Sequence, residues 1–257
     1  MTDPADLLDL PDLPRSATEP DGSAVVRVLS YNIRSMRDDT AALARVIRAC
    51  APDLALIQEA PRFFRWRKAA ARLAEATGLV HVTGGATTTG PMILSSLRAQ
   101  VERTEDVLLP HHPPLHRRGF ATAVLRIGGA RVAALSAHLS LDPAERYEQA
   151  GLLLDRITGL GEPYAIVGGD FNEPPDRPGF SRLADRLQDA WATKPWGAEF
   201  TNNSTLASQR IDAVFTTPGI EVLGCGVPRG LPGITPEDLR AATDHLPVLT
   251  ALRVPAA

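Results

Sequence analysis

The segment Tyr164-Ala165-Ile166-Val167-Gly168-Gly169-Asp170-Phe171-Asn172 constrains this chain more than any other. A hydrophobic run meets two glycines, and an acid and an amide follow on alternate positions. Side chains two apart in a strand point to the same side, so Asp170 and Asn172 face one point if the strand continues through them. The glycines either turn the backbone sharply or let another segment approach closely. A carboxylate and an amide presented at the end of a buried strand suit a hard cation or an attacking water.

Many short strands surround this segment. Val25 to Ile33 is rich in β-branched residues and reads as a strand. Asp38 or Asp39 can cap a helix through Ile47, with Leu43, Val46 and Ile47 on one face. Leu54 to Gln58 is a short buried strand ending at Glu59. Pro61 is expected to open a helix that Gly78 stops. Short strands follow near 79–83, 91–97 and 100–108. Gly128-Gly129 joins 120–127 to 131–138 as a hairpin. Asp142 and Pro143 start a helix that runs to Leu160. A short helix is expected at 178–187, strands near 210–217 and 219–227, a Pro/Gly-rich loop at 228–243, and a last strand from Leu246 to Val254. The hairpins argue against an all-parallel sheet. Two packed sheets with helices outside them fit better.

Charge divides the chain unevenly. The net charge is −3, yet residues 1–23 carry −5, which leaves the remainder at +2. A mildly basic body permits a phosphate-bearing substrate without demanding one. Residues 1–24 are expected to form an acidic flexible tail, in which Leu7, Leu8, Leu10 and Leu13 could dock on a partner or on the protein itself. Residues 25–257 are expected to form a single domain. The N-terminal stretch has no basic or apolar segment of a secretory signal, and no apolar run is long enough to span a bilayer. Cys50 and Cys225 are far apart and form no CxxC pair, which excludes a disulfide framework and fits a reducing cytoplasm.

Polar residues recur where apolar runs end: Ser30-Tyr31-Asn32, Gln58-Glu59, Ser136-Ala137-His138, Gly169-Asp170-Phe171-Asn172, Arg210-Ile211-Asp212 and Thr243-Asp244-His245. One acid after a strand is usually a cap or turn residue. Six such ends in one chain, the last leading into Leu246-Pro247-Val248, point to a site at a sheet rim.

In these motifs, their order and their spread over about residues 25 to 254, the chain resembles the endonuclease/exonuclease/phosphatase superfamily with its deoxyribonuclease-I-like fold. The resemblance implies a four-layer α/β sandwich: two mixed, mostly antiparallel β-sheets packed face to face with helices on the outer faces. It implies metal-dependent cleavage of a phosphate ester, with magnesium as the usual ion and manganese as a substitute. Such a reaction needs the phosphate charge offset, a water activated in line and a stabilised leaving oxygen.

Glu59 is then the leading metal ligand, because a hard carboxylate suits Mg²⁺. Asn32 adds a neutral oxygen near the metal or a donor to the substrate, and Asp244 serves a second or shared metal position. By resemblance Asp170 orients or deprotonates the attacking water, and Asn172 holds phosphate or metal. His245 donates to a phosphate oxygen when protonated, with Asp212 fixing its tautomer and raising its pKa. His138 resembles the second histidine of the deoxyribonuclease and sphingomyelinase branches, which tilts away from abasic-site repair. The glutamate that supports this histidine in deoxyribonuclease-like members has no clear counterpart here; the candidates are Glu102, Glu105 and Asp106. Arg118 is expected to contact the scissile phosphate, whereas His111, His112 and His116 read as loop residues.

Arg62-Phe63-Phe64-Arg65-Trp66-Arg67-Lys68 admits two interpretations. It could grip and stack on nucleic acid. Alternatively Phe63, Trp66, Ala70 and Leu73, at helical spacing, are core. The leading functional expectation is hydrolysis of a phosphodiester by a nuclease or phosphodiesterase, with nucleic acid as a possible partner. The alternatives are a phosphomonoesterase or lipid or inositol phosphate hydrolase on the same fold, and a non-catalytic binding protein.

Overall fold

The computed structural model describes residues 12–257. Two sheets lie face to face between layers of helices. The first contains β2 (Ala24–Asn32), β3 (Leu54–Gln58), β4 (Val80–Gly84), β5 (Met92–Ser95), β12 (Glu221–Gly226) and β13 (Val248–Val254), in the order β12-β13-β2-β3-β5-β4. A two-residue strand, β1 (Ala17–Thr18), pairs with β2. The second sheet runs β10 (Gln188–Asp189), β11 (Asp212–Thr216), β9 (Ala165–Asp170), β8 (Ala130–His138), β7 (Gly119–Ile127) and β6 (Ala99–Leu108). Among the described strands, β2 with β3 and β8 with β9 pair in parallel and the other pairs are antiparallel. This is the expected mixed, mostly antiparallel sandwich.

Strand alternation sorts the apolar residues into three cores. Val26, Val28, Leu56, Val132, Ala134, Ile166 and Val214 meet between the sheets. Leu29, Tyr31 and Ile57 face α1 (Thr40–Cys50), α2 (Trp66–Thr77) and α6 (Pro236–Ala242). Leu135, Val167 and Phe215 face α3 (Pro143–Leu160) and α4 (Pro178–Ala184), where Phe171, Phe180 and Phe215 stack edge to face or tilted, 5.0 to 5.9 Å apart. Asp39 and Asp142 cap α1 and α3 through their side chains, as their positions imply.

The structure departs from the expectations in four places. Residues 12–23 lie against the protein: Leu13 is buried in the core beneath α1, and Ala17–Thr18 pairs with β2. The other tail leucines, Leu7, Leu8 and Leu10, fall outside the described residues. Helix α2 starts at Trp66, not at Pro61. Residues 60–62 are pinned to the neighbouring loop instead, by Ala60 N to Gly90 O at 2.9 Å and Arg62 Nη1 to Thr89 O at 3.1 Å. Phe63 is consequently 76% exposed, and its helical-core reading fails. The 228–243 loop contains α6, started by a capping box between Thr235 and Asp238. Arg45 on α1 donates to Asp238 Oδ1 at 2.7 and 2.9 Å, which ties α6 to α1. A short helix, α5 (Ala190–Thr193), was not anticipated.

The two glycines of the opening segment do not turn the chain. Strand β9 runs straight through them to Asp170. Their purpose is close approach. A Cβ on Gly168 would lie 2.8 Å from Leu56 Cδ1 and 3.1 Å from Ser30 Cβ, both on the opposite sheet. Gly168→Val should therefore lower the unfolding free energy by about 1–3 kcal/mol in chemical denaturation. Gly159→Ala, in α3 with nothing near its Cβ, should raise it by about 0.5–1 kcal/mol. Equal effects at the two positions would refute the close-approach account.

Candidate active site

Strand register aligns the polar strand ends. His138 pairs with Asp170 across the parallel β8–β9 contact, and Asp170 pairs with Asp212 across β9–β11. On the first sheet Asn32 is level with Gln58, so Glu59 follows at the same rim. Two hydrogen bonds from Asn32 Nδ2 then link the sheets: 3.1 Å to Glu59 Oε1 and 2.9 Å to Asp170 Oδ2. Gln58 and Ser136 bridge the sheets beneath them, with Gln58 Nε2 3.3 Å from Ser136 Oγ and Ser136 Oγ donating to Ile57 O at 2.7 Å.

Both candidate histidines approach the same carboxylate oxygen. His138 Nε2 lies 3.5 Å and His245 Nε2 3.8 Å from Asp170 Oδ2. Their surroundings drive their pKa values apart. Burial pulls His138 down to about 3 against the attraction of Asp170, and the positive charges of Arg118, His245 and Arg62 add to the lowering. Burial would also lower His245. Asp212, bonded to its Nδ1 at 2.9 Å, together with Asp170 and Asp244, overcomes burial and raises it to about 10. One imidazole is neutral and its neighbour is an imidazolium.

The Asp212–His245 pairing depends on a residue that the motifs did not reveal. The buried Thr201 hydroxyl accepts from the amides of Ile211 and Asp212, both at 3.2 Å, and its carbonyl accepts from Leu246 N at 2.8 Å. Thr201 thus clamps the start of β11 to the segment carrying His245. Nothing in the local sequence marks a threonine in a loop for this position. Arg210, within a site motif, is structural: it forms a bidentate pair with Asp189 at 2.8 and 3.0 Å and stacks on Phe180.

Asn172 reaches the site differently from the strand alternation expected. Strand β9 ends at Asp170, and Asn172 takes a left-handed conformation with φ of 54°. Its backbone N donates to Asp170 Oδ1 at 3.0 Å, and its side-chain Nδ2 donates to Leu139 O at 2.8 Å. Asn172 therefore fixes the Asp170 carboxylate from below. Left-handed non-glycine residues concentrate at this rim: Arg34, Ser35, Met36, Glu59, Thr89 and Asn172 account for six of the eight described. Each costs roughly 1–2 kcal/mol of backbone strain, and such strain gathers at functional sites.

Glu59, Arg118, His138, Asp170, Asn172 and His245 line one cavity of about 250 Å³, together with Arg62, Thr89, His116 and Leu141. Arg118 is buried, and its Nε has no hydrogen-bond partner. Burial lowers its pKa against the pull of Asp170 and Glu59. Asp244 stands apart from this wall and pairs with Arg34 at 3.2 Å. Glu102, Glu105 and Asp106 are engaged elsewhere, by Arg126 and Arg131, by Arg156, and by Thr83 and Thr87 respectively. His138 has no supporting glutamate from β6.

The donor set fits a hard divalent cation. Its members are carboxylate and amide oxygens. One of them, Asp212 Oδ1, is buried with no hydrogen-bond partner. Ligand atoms of Asp170, Asp212 and His245 lie within 4.8 Å of one another. The imidazolium state of His245 leaves that ring no lone pair to offer, so carboxylate oxygens are the stronger donors.

The chain matches the family model described as the endonuclease/exonuclease/phosphatase family over residues 29–245. No curated protein sequence matches it. Several solved structures share the fold. An endonuclease/exonuclease/phosphatase from Bacteroides vulgatus is 20% identical, with 90% of this chain and 99% of that one covered and a TM-score of 0.74. A mannosyl-6-phosphatase from Bacteroides thetaiotaomicron is 18% identical over 88% and 99%, with a TM-score of 0.72. TDP2 from D. rerio, complexed with a single-strand DNA product, is 16% identical over 89% and 98%, with a TM-score of 0.70.

The two histidines supply a direct test. In metal-free protein, NMR should find His138 neutral throughout and His245 charged beyond pH 8, near its value of about 10. The folded pKa of His245 lies above its ordinary 6.5, so the stability from its pairing is complete below about 6.5 and lost as pH rises through about 10. Asp212→Asn should return His245 toward or below 6.5. An unchanged titration would show that Asp212 does not set its charge. By its family model the chain belongs to the endonuclease/exonuclease/phosphatase family.

Proposed function

We propose that this family member is a divalent-metal-dependent phosphoesterase that hydrolyses a phosphodiester bond, with Mg²⁺ as the ion and Mn²⁺ as a working substitute. The observation that carries the proposal is Asp170 Oδ2, which lies between a neutral His138 and a charged His245 and is tied through Asn32 to Glu59.

Glu59 and Asn32 would hold the cation on the first sheet, and Asp244, now paired with Arg34, would serve a second or shared position. When bound, the ion offsets phosphate charge and makes the phosphorus more open to attack. Asp170 orients an incoming water and takes its proton. Asn172 Nδ2 gives one hydrogen to Leu139 O, which leaves its second hydrogen for a phosphate oxygen and Oδ1 for a cation or water. His245, held by Asp212, donates from Nε2 to a phosphate oxygen. Arg118 has free donors on the same cavity wall and meets the phosphate as a fork. His138, neutral through burial, has a single N–H to give, and its Nε2, 3.5 Å from Asp170 Oδ2, is placed to donate it at the attacking side of the site.

The rim supports an extended substrate with aromatic groups. Phe63 and Phe64 are 76% and 88% exposed beside Arg62, which lines the cavity. Arg62 and Arg65 stack at 5.8 and 4.9 Å from the two rings. Exposed rings with adjacent cations suit a nucleic-acid strand. A second reading, a small phosphomonoester, rests on the modest 250 Å³ of the cavity itself. Two buried free thiols are consistent with a reducing cytoplasm. No helix among the described residues is long and apolar enough to cross a membrane.

With Mg²⁺, bis-p-nitrophenyl phosphate and single-stranded DNA should both be hydrolysed, and chelation should abolish the activity. Glu59→Ala, Asp170→Ala and His245→Ala should each reduce kcat/KM by at least about 100-fold. Phe63→Ala and Phe64→Ala should raise KM for the strand alone. Full activity in any of the first three variants contradicts the assignment. Release of inorganic phosphate from sugar phosphates without cleavage of DNA would favour the phosphomonoester reading.

A further inference from the structure

A second cavity, well away from the cleft at the strand ends, is larger than the roughly 250 Å³ found there. It holds about 830 Å³ on the helical side of the first sheet, between the N-terminal segment, the C-terminal ends of α1 and α2, and the loops at 96–98 and 231–232. Arg27 of β2 forms part of its wall. Five residues separate Arg27 from Asn32, roughly 16 Å along the strand. Odd-numbered β2 residues face α1 and even-numbered ones face the second sheet, so this cavity and the catalytic cleft lie on opposite faces.

Arg27 is 7% exposed, and its Nε and Nη2 have no hydrogen-bond partner. Desolvating a guanidinium without compensation is costly, and an oxyanion is the natural compensation. Burial accordingly pulls its pKa down, against the attraction of Asp53. Asp53 does not answer the side chain. Its carboxylate is taken up by Arg98 Nη1 at 2.7 Å, Ser16 Oγ at 2.5 Å, Ser96 Oγ at 3.3 Å and the backbone N of Arg27 at 2.9 Å.

Helix ends do not explain Arg27 either. The last carbonyls of α1 and α2 favour cations, but Ala51 N, Gly78 N and Leu79 N already donate to them, and Arg48 Nη1 reaches Ala76 O at 3.2 Å. Four arginines, Arg15, Arg27, Arg48 and Arg98, face two aspartates, Asp12 and Asp53, around the cavity. The rest of the wall is partly apolar and includes Leu79, Leu231 and Leu97, the last 89% exposed. Leu97 therefore adds solvent-facing apolar surface to a wall that also carries the arginines.

We propose that this cavity is a second binding site, for a small organic anion: a phosphate or carboxylate seated against Arg27, on an apolar body lying along Leu79, Leu97 and Leu231. The volume is within the range of small-molecule sites. Nε and Nη2 of Arg27 are closed to solvent, so the acid group meets the guanidinium at Nη1, with Arg15 and Arg98 on the same wall. This site takes no part in the reaction proposed above, and ligand binding here does not require that reaction to be correct.

Calorimetry on the full chain with phenylphosphonate and, separately, hexanoate tests the proposal and separates the two acid groups. At least one probe should bind the wild type. Arg27→Met, similar in length but uncharged, should weaken that binding by about tenfold or more. Leu97→Glu, at an exposed position that leaves the fold intact, should weaken it comparably by placing a carboxylate at the mouth. Asp170→Asn should leave it unchanged, because the catalytic cleft lies elsewhere. Binding of one probe alone identifies its acid group as the one recognised. No binding of either probe at about 10 mM, or binding equal in wild type and Leu97→Glu, overturns the proposal.

Discussion

The contact of the two sheets at Gly168 determines the rest. Backbone without a side chain lets Leu56 and Ser30 of the first sheet come within van der Waals distance of β9. That proximity brings the ends of β2 and β9 near enough for one amide, Asn32 Nδ2, to reach Glu59 on its own sheet and Asp170 on the other. The candidate site residues then converge without further adjustment. Parallel pairing sets His138 beside Asp170, and antiparallel pairing sets Asp212 on its other side. The rim is therefore a consequence of register, and the loops only complete it.

Packing so many carboxylates at one rim carries an electrostatic penalty, and the way it is offset defines the chemistry. Asp170 and Asp212 are almost fully buried. Asp212 is answered on one oxygen by His245, which it converts to a stable imidazolium. Burial keeps the second ring, His138, uncharged despite the attraction of Asp170, and the positive charges of Arg118 and His245 add to that. Two identical side chains therefore take opposite charge states around one oxygen. Donor and acceptor are separated by environment rather than by residue type. The orphaned Asp212 Oδ1 and the Asn32-bridged carboxylates leave negative charge that a divalent cation would balance.

Much of this was legible because strand ends announce themselves by composition. The apolar runs, the hairpin at Gly128-Gly129 and the capping residues Asp39 and Asp142 read through to the observed elements. So did the convergence of Asn32, Glu59, His138, Asp170, Asp212 and His245, since each ends or follows a strand at one rim. Three features stayed hidden for distinct reasons. Phe63 matched a helical period but is held out of the helix by bonds to a loop thirty residues away, a tertiary effect. Asn172 sits past the strand end, where alternation no longer applies. Thr201 clamps two motifs through a hydroxyl and a carbonyl, and no local pattern distinguishes such a threonine from its neighbours. The same limit applies to Arg27: an arginine in a strand shows its missing partner only in three dimensions.

The most direct measurement is a crystal structure grown with Mn²⁺ and read by anomalous scattering. The account predicts a peak in the cleft between the sheets, coordinated by the Glu59 carboxylate and near the Asn32 and Asp170 side chains. A peak only at another carboxylate cluster, or a cleft that stays empty of metal at saturating Mn²⁺, would contradict it.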